Sequence, residues 1–183
     1  MALFRRKPKL PADKRPALEP DERVSAWARA SGDGVVVATN RGLWLPGQHR
    51  LGWHEIHKAA WSGRELVITP ASVVEERAGY AVVADQPFLS TVLLDPGDVP
   101  DQVRTRVTRS VAYTEHHPLP EGGGVRVVAR RVSGVDGLTW TARYDPGTPP
   151  DEAAVDDLVE AARVTTTPPD PPLPVDARIV HGE

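Results

Sequence analysis

The chain has 183 residues, a formal net charge of −3, 19 prolines, five tryptophans and no cysteine. That length allows one domain with a real core; the missing cysteine excludes disulfides, a thiol nucleophile and cysteine-ligated metal, and fits a cytoplasmic protein; no stretch has the apolar length of a membrane span or of a signal peptide. Charge is uneven, +5 over residues 1–16, −1 over 17–144 and −7 over 145–183, and a near-neutral middle argues against a nucleic-acid-binding domain.

Residues 1–20 are predicted to lack fixed structure, because Pro8, Pro11, Pro16 and Pro20 block helix and ladder and the charge density is high. Arg5, Arg6, Lys7 and Lys9 are candidates for a tether to an anionic membrane surface, where each contributes about 1 kcal/mol. The competing reading is a solvated terminus. Val24, Ala26 and Ala28 alternate with polar residues, which marks a first strand over residues 22–30.

Gly34 to Pro70 holds three of the five tryptophans and reads as four strands joined by tight turns. Val35, Val36 and Val37 favour a pleated strand. Asn40-Arg41-Gly42 is a hairpin turn with Gly42 expected in the left-handed position. Leu43-Trp44-Leu45 returns, and Leu51 to Ala60 follows as one strand in which Ile56 falls out of step, the sign of a bulge or a change of face. Ser62-Gly63-Arg64 turns into Leu66-Val67-Ile68. Residues 71–78 are expected as a polar loop, with strands over 79–85 and 88–94.

From Asp98 to Thr114 the period changes. Val99, Val103, Val107 and Val111 fall four apart, a helical face, although the same spacing also satisfies a strand. Residues 115–124 are expected as a loop. Val125 to Ser133 and Leu138 to Tyr144 form a hairpin in which Val125, Val127 and Ala129 share one face, as do Leu138, Trp140 and Ala142. A second helix runs from Asp151 to Arg163 with Val155, Leu158, Val159 and Ala162 as its buried stripe. Residues 165–183, with five prolines between 168 and 174, are expected as an extended acidic tail.

The fold class is therefore mainly β (α+β), with one domain over residues 21–164. Seven strands followed by a helix, together with VVVATNRGLWLP, resemble the pleckstrin-homology-like fold of bacteria over residues 20–114. Thr39, Asn40 and Leu43 match its strand–turn–strand pattern, Trp53 and Ile56 its next strand, and Arg41 stands one place early. The resemblance implies a seven-stranded sandwich or barrel closed by a helix. The hairpin and second helix over 125–163 are an addition to it. Arginine outnumbers lysine 18 to 4, and the chain as a whole also resembles uncharacterised proteins of high-GC bacteria. Family members that bind phosphoinositides place basic residues around the first strand–strand loop. Here that loop is Ser31-Gly32-Asp33-Gly34, which carries no base.

Arg104, Arg106 and Arg109 on the first helix are candidates for an anion or acidic-partner site, against the reading of a solvated face paired with local acids. By helical geometry Arg106 and Arg109 share a flank and Arg104 lies across the valine stripe. His54 and His57 on a strand would point to opposite faces, so a metal shared with His49 is not expected, and Glu115-His116-His117 would need a further ligand. Trp44 or Trp61 at the surface would mark a contact site. No catalytic signature is present, and no catalytic residue, metal or cofactor is assigned. The sequence points first to a non-enzymatic protein-interaction or adaptor module with an unidentified protein partner. The alternatives are a peripheral membrane protein held by its basic tail and an enzyme whose site is assembled from distant residues.

Overall fold

A computed structural model of the chain describes residues 9–166. Strands β1 (Val24–Ala30), β2 (Val35–Thr39), β3 (Gly42–Trp44) and β4 (Leu51–Gly52) form an antiparallel meander, each bonded to the next. Gly42 is not among the positive-φ glycines, which corrects the left-handed expectation. It is required by close approach instead: a Cβ there would run into the Leu51 carbonyl oxygen of the neighbouring strand.

Leu51 to Ala60 does not run as one strand. Trp53–Glu55 is a 3-10 turn that separates β4 from β5 (Ile56–Trp61), and this turn is the slip of phase seen at Ile56. Its side chains hold it. The Glu55 carboxylate accepts the Gly52 amide at 2.6 Å, and the Trp53 indole, buried, donates to the Thr39 carbonyl at 3.1 Å.

Strand β6 (Glu65–Arg77) is 13 residues long, so most of the expected loop over 71–78 is its second half. Its first half pairs with β5 on one edge and β8 (Leu89–Asp95) on the other. Its second half pairs only with β7 (Tyr80–Asp85), on the β8 side. β7 and β8 together form one antiparallel return along β6, interrupted at residues 86–88. Pro70 lies opposite the interruption: its carbonyl takes the Gln86 amide at 2.8 Å, and the N–H that proline lacks would have faced the same gap.

Helix α1 (Val99–Ser110) buries Val99 and Val103, and partly Val107, against β1, β2 and β5. Val111 is not the last turn of this helix. It opens β9 (Val111–Pro118), so half of the expected 115–124 loop is strand. β9 pairs with β10 (Gly124–Arg130), β10 with β11 (Thr139–Tyr144), and β11 runs parallel to β7. Helix α2 (Glu152–Thr166) covers one face of these strands with Val155, Val159 and Ala162 buried. The Asp151 side chain caps it, accepting the Ala154 amide at 3.0 Å.

The mainly β, α+β class holds, but the strand inventory changes: eight strands precede α1 and three follow it, where seven and a hairpin were expected. All eleven are linked in the order β4-β3-β2-β1-β8-β6-β7-β11-β10-β9, with β5 on the outer edge of β6. Two cores result. One gathers Val36, Leu43, Trp53, Ile56, Leu66, Ile68, Val99 and Val103. The other gathers Tyr80, Val82, Val125, Val127, Trp140, Val155 and Val159. The long β6 carries the chain from one to the other.

Residues 9–20, expected to lack fixed structure, make defined contacts with the β1–β4 region. Ala12–Lys14 is a 3-10 turn, Lys14 pairs with Asp33 at 2.5 Å, and Glu19 pairs with Arg41 and Arg50. Arg5, Arg6 and Lys7, and the 167–183 part of the expected acidic tail, lie outside the described residues.

Candidate functional site

The site follows from the two halves of β6. Up to Pro70 its outer edge is occupied by β5, whose last paired residue is Ile56. Beyond Pro70 the 53–55 turn has carried the chain away, and no described strand pairs with the outer edge of Ala71–Arg77. A cleft of about 990 Å³ opens there. It is lined by Gln48, His49 and His54 and, from β6, by Ala71, Val73 and Glu76. Strand alternation builds its floor. Tyr80 and Val82 belong to the second core, so Ala81 and Val83 face the opposite way, into the cleft, beside Thr141 of β11. Val73 and Val74 are 51% and 60% exposed, although both stand in a strand.

Several titratable groups of the cleft are paired within the fold. The His57 Nδ1 lies 2.6 Å from Asp85 Oδ1, and Arg143 donates to the same carboxylate at 2.8 Å. Burial pulls the His57 pKa below its ordinary value and outweighs the pull of Asp85. Burial also lowers His54, and the charge of Arg130 adds to it. Burial alone would raise Asp85; the bonds from His57 and Arg143 overcome it and hold the carboxyl below the usual range. A histidine oriented by a carboxylate is half of an acid–base device. The other half is missing among the described residues, since no hydroxyl is bonded to the second nitrogen of His57, and the Ser72 hydroxyl accepts from Gln86 at 2.6 Å. No cluster of three or more metal-ligating side chains is present among the described residues.

A second polar cluster lies at the β6–β7 turn. Arg77 grips Glu75 with two bonds of 2.9 and 3.0 Å and donates to the Tyr80 hydroxyl, which donates to Asp156 at 2.6 Å. Burial, then the Asp156 bond, pushes the Tyr80 phenol up to about 12. Every group here has a partner, and the cluster ties α2 to the sheet.

The arginine trio of α1 divides as its helical spacing implies. Arg104 lines a small hollow with Ala59 and Trp61. Arg106 lies 5.9 Å from the centroid of the Trp53 ring and donates to Ser25 at 2.8 Å, with Arg109 near it. Among the candidate tether residues, Lys9 is exposed. Trp44 and Trp61 are both half-buried, and Trp44 donates to Glu22 at 3.0 Å, so neither stands out as a surface contact. His116 and His117 are on a strand rather than in a loop. They diverge: His116 pairs with Asp145 at 2.7 Å, while the His117 Nε2 is buried without a hydrogen-bond partner.

The residues that carried the family resemblance form a structural hub. The Thr39 hydroxyl accepts the amides of Arg41 and Gly42 and donates to the buried Glu22, while Asn40 accepts the Arg23 amide at 2.6 Å. Sequence reading missed the edge of Ala71–Arg77, whose only signal was the Val73-Val74 pair among polar residues. It also missed Arg130 and Arg131, which the fold brings to the end of α1. Neither the family models, nor the curated proteins, nor the solved structures contain a match to this chain.

Proposed function

We propose that the chain is a non-enzymatic protein-interaction module of the cytoplasm that takes an extended segment of a partner protein into the cleft beside Ala71–Arg77. The observation that carries this reading is the vacant outer edge of β6, with the half-exposed Val73 lining the cleft that opens there. An incoming segment would occupy the track that β5 leaves at Ile56. Main-chain bonds to the edge would give affinity, and alternate side chains would stand beside Ala71 and Val73 of β6. Seven residues of edge span about 23 Å, and the bulge between Val73 and Glu75 limits in-register pairing to a short segment. His57 is committed to Asp85 and Arg77 to Glu75, which favours binding over chemistry.

For the body, the same proposal keeps the pleckstrin-homology-like reading. It is supported by the β1–β4 meander, the β5, β6 and β8 set bonded back to β1, and the packing of α1 against β1, β2 and β5.

Selection from a displayed library of random linear peptides tests the binding reading. It expects enriched peptides with alternating apolar residues whose affinity falls at least tenfold for Val74→Pro and for Val73→Lys. Enriched peptides that bind both variants like the wild type, or no enrichment at all, would overturn it.

A further inference from the structure

Four arginines gather around the C-terminal end of α1, two from the helix, one from the end of β10 and one just after it. Arg106 and Arg109 stand on one flank of the helix. Arg130, only 7% exposed, donates from Nη1 to the Ser110 hydroxyl at 2.8 Å. Arg131 donates from Nη1 to the Arg109 and Val111 carbonyls at 3.3 and 3.5 Å. Ser110 is the last residue of α1, and its hydroxyl lies 3.5 Å from the Trp53 carbonyl, so Trp53 connects the Arg106 and Arg130 sides.

Among the described residues none of these four forms an ion pair. The buried Nε atoms of Arg106 and Arg130 also lack any hydrogen-bond partner. Burial lowers the pKa of both, the charge of Arg109 adds to it at Arg106 and that of Arg143 at Arg130, and no carboxylate opposes either shift.

A helix C-terminus attracts cations, but it supplies only about half a negative charge. Four guanidinium groups therefore leave more than three positive charges unopposed. Arg130, and in part Arg106, are held out of water without counter-charge, which destabilises the fold unless a ligand compensates, while Arg109 and Arg131 are exposed. Guanidinium forks fit an oxyanion with two parallel bonds, and a dianion answers this excess better than a single carboxylate.

We propose that this arginine cluster is a binding site for a phosphate dianion. Arg106, Arg109 and Arg131 make the direct contacts, and the buried Arg130 adds positive potential from behind. The charge of Arg130 also bears on His54 and His57 of the β6 cleft, but the site does not depend on the reading given for that cleft. Arg104, although on the same helix, faces the hollow by Trp61 and takes no part.

Trp53 lies under Arg106 and reports occupancy by its fluorescence. The experiment titrates the full chain with inorganic phosphate, and in a second arm with O-phosphoserine, at constant ionic strength against chloride. Saturable binding is expected, with a melting temperature that rises with phosphate. Affinity should fall at least tenfold in R106Q/R109Q and stay within twofold in R104Q. R109Q/R131Q, which changes only exposed side chains, should show the same loss and decides the matter if R106Q/R109Q does not fold. Tighter binding of O-phosphoserine than of inorganic phosphate supports a phosphate carried on a larger ligand, and equal binding supports the free ion. No saturable response beyond chloride, wild-type affinity in R109Q/R131Q, or an equal loss in R104Q would overturn the assignment.

Discussion

Replacing Glu22 by alanine should cost about 3 kcal/mol of stability. The residue is 5% exposed and its carboxylate accepts four bonds: Thr39 Oγ1 at 2.7 Å, Trp44 Nε1 at 3.0 Å, Arg50 Nη1 at 2.7 Å and the Glu19 amide at 3.2 Å. Thr39 keeps a second acceptor in the Gly42 carbonyl, and Arg50 keeps Glu19. The loss therefore falls on the Trp44 indole N–H and on part of the Arg50 charge. A stranded donor costs about 1–3 kcal/mol and a broken buried pair about 3–5 kcal/mol; the partial exposure of Arg50 takes the sum to the lower end. Urea unfolding at pH 7, followed by tryptophan fluorescence, should show the midpoint falling by roughly 1–3 M. Glu19→Ala, at a side chain 45% exposed, should cost less than about 1 kcal/mol. A Glu22→Ala variant no less stable than Glu19→Ala would refute the reasoning.

The same carboxylate has a pH signature. Burial alone would raise its pKa, but the bonds from Thr39, Trp44, Glu19 and Arg50 outweigh burial and hold it below the ordinary 4.5. A depressed carboxylate stabilises the fold above its unfolded value, and that contribution is lost as pH falls through the folded value. Glu22→Ala should therefore flatten the acid limb of the stability curve.

Tyr80→Phe removes the bonds to Asp156 and Arg77 and should cost about 1–3 kcal/mol in the same urea experiment; a loss under about 0.5 kcal/mol would contradict the account of that cluster. His54 and His57 both have lowered pKa values, so below the ordinary 6.5 the unfolded chain takes up protons before the folded one. Stability should fall as pH drops from about 7 towards 5, by at most about 1.4 kcal/mol per pH unit for each histidine, and a His54→Asn/His57→Asn variant with an unchanged slope would sink this. The protein-interaction reading expects no more co-sedimentation with anionic vesicles than with neutral ones. Binding to anionic vesicles that disappears on deletion of residues 1–8 would favour the tail of Arg5, Arg6 and Lys7 as a membrane tether instead.

Local chemistry was enough to determine much of the fold. Valine runs and tight-turn residues fixed β1 to β3, alternation placed Val125, Val127, Ala129, Trp140 and Ala142 in one core, and the stripe of α2 was read in full, because each signal lies within a few residues. Tertiary structure decided the rest. Whether Val111 continued a helix or opened a strand depended on β10, which lies beside it in space and more than ten residues on. Residues 71–77 read as a loop because neither face of this stretch is buried, so no hydrophobic alternation marks it, and only pairing with β7 makes it a strand. The candidate sites were invisible for the same reason. The cleft exists because β5 leaves β6 at Pro70, and the arginine cluster exists because β10 ends against the last turn of α1. Both bring together residues distant in sequence, and no local pattern records such a meeting.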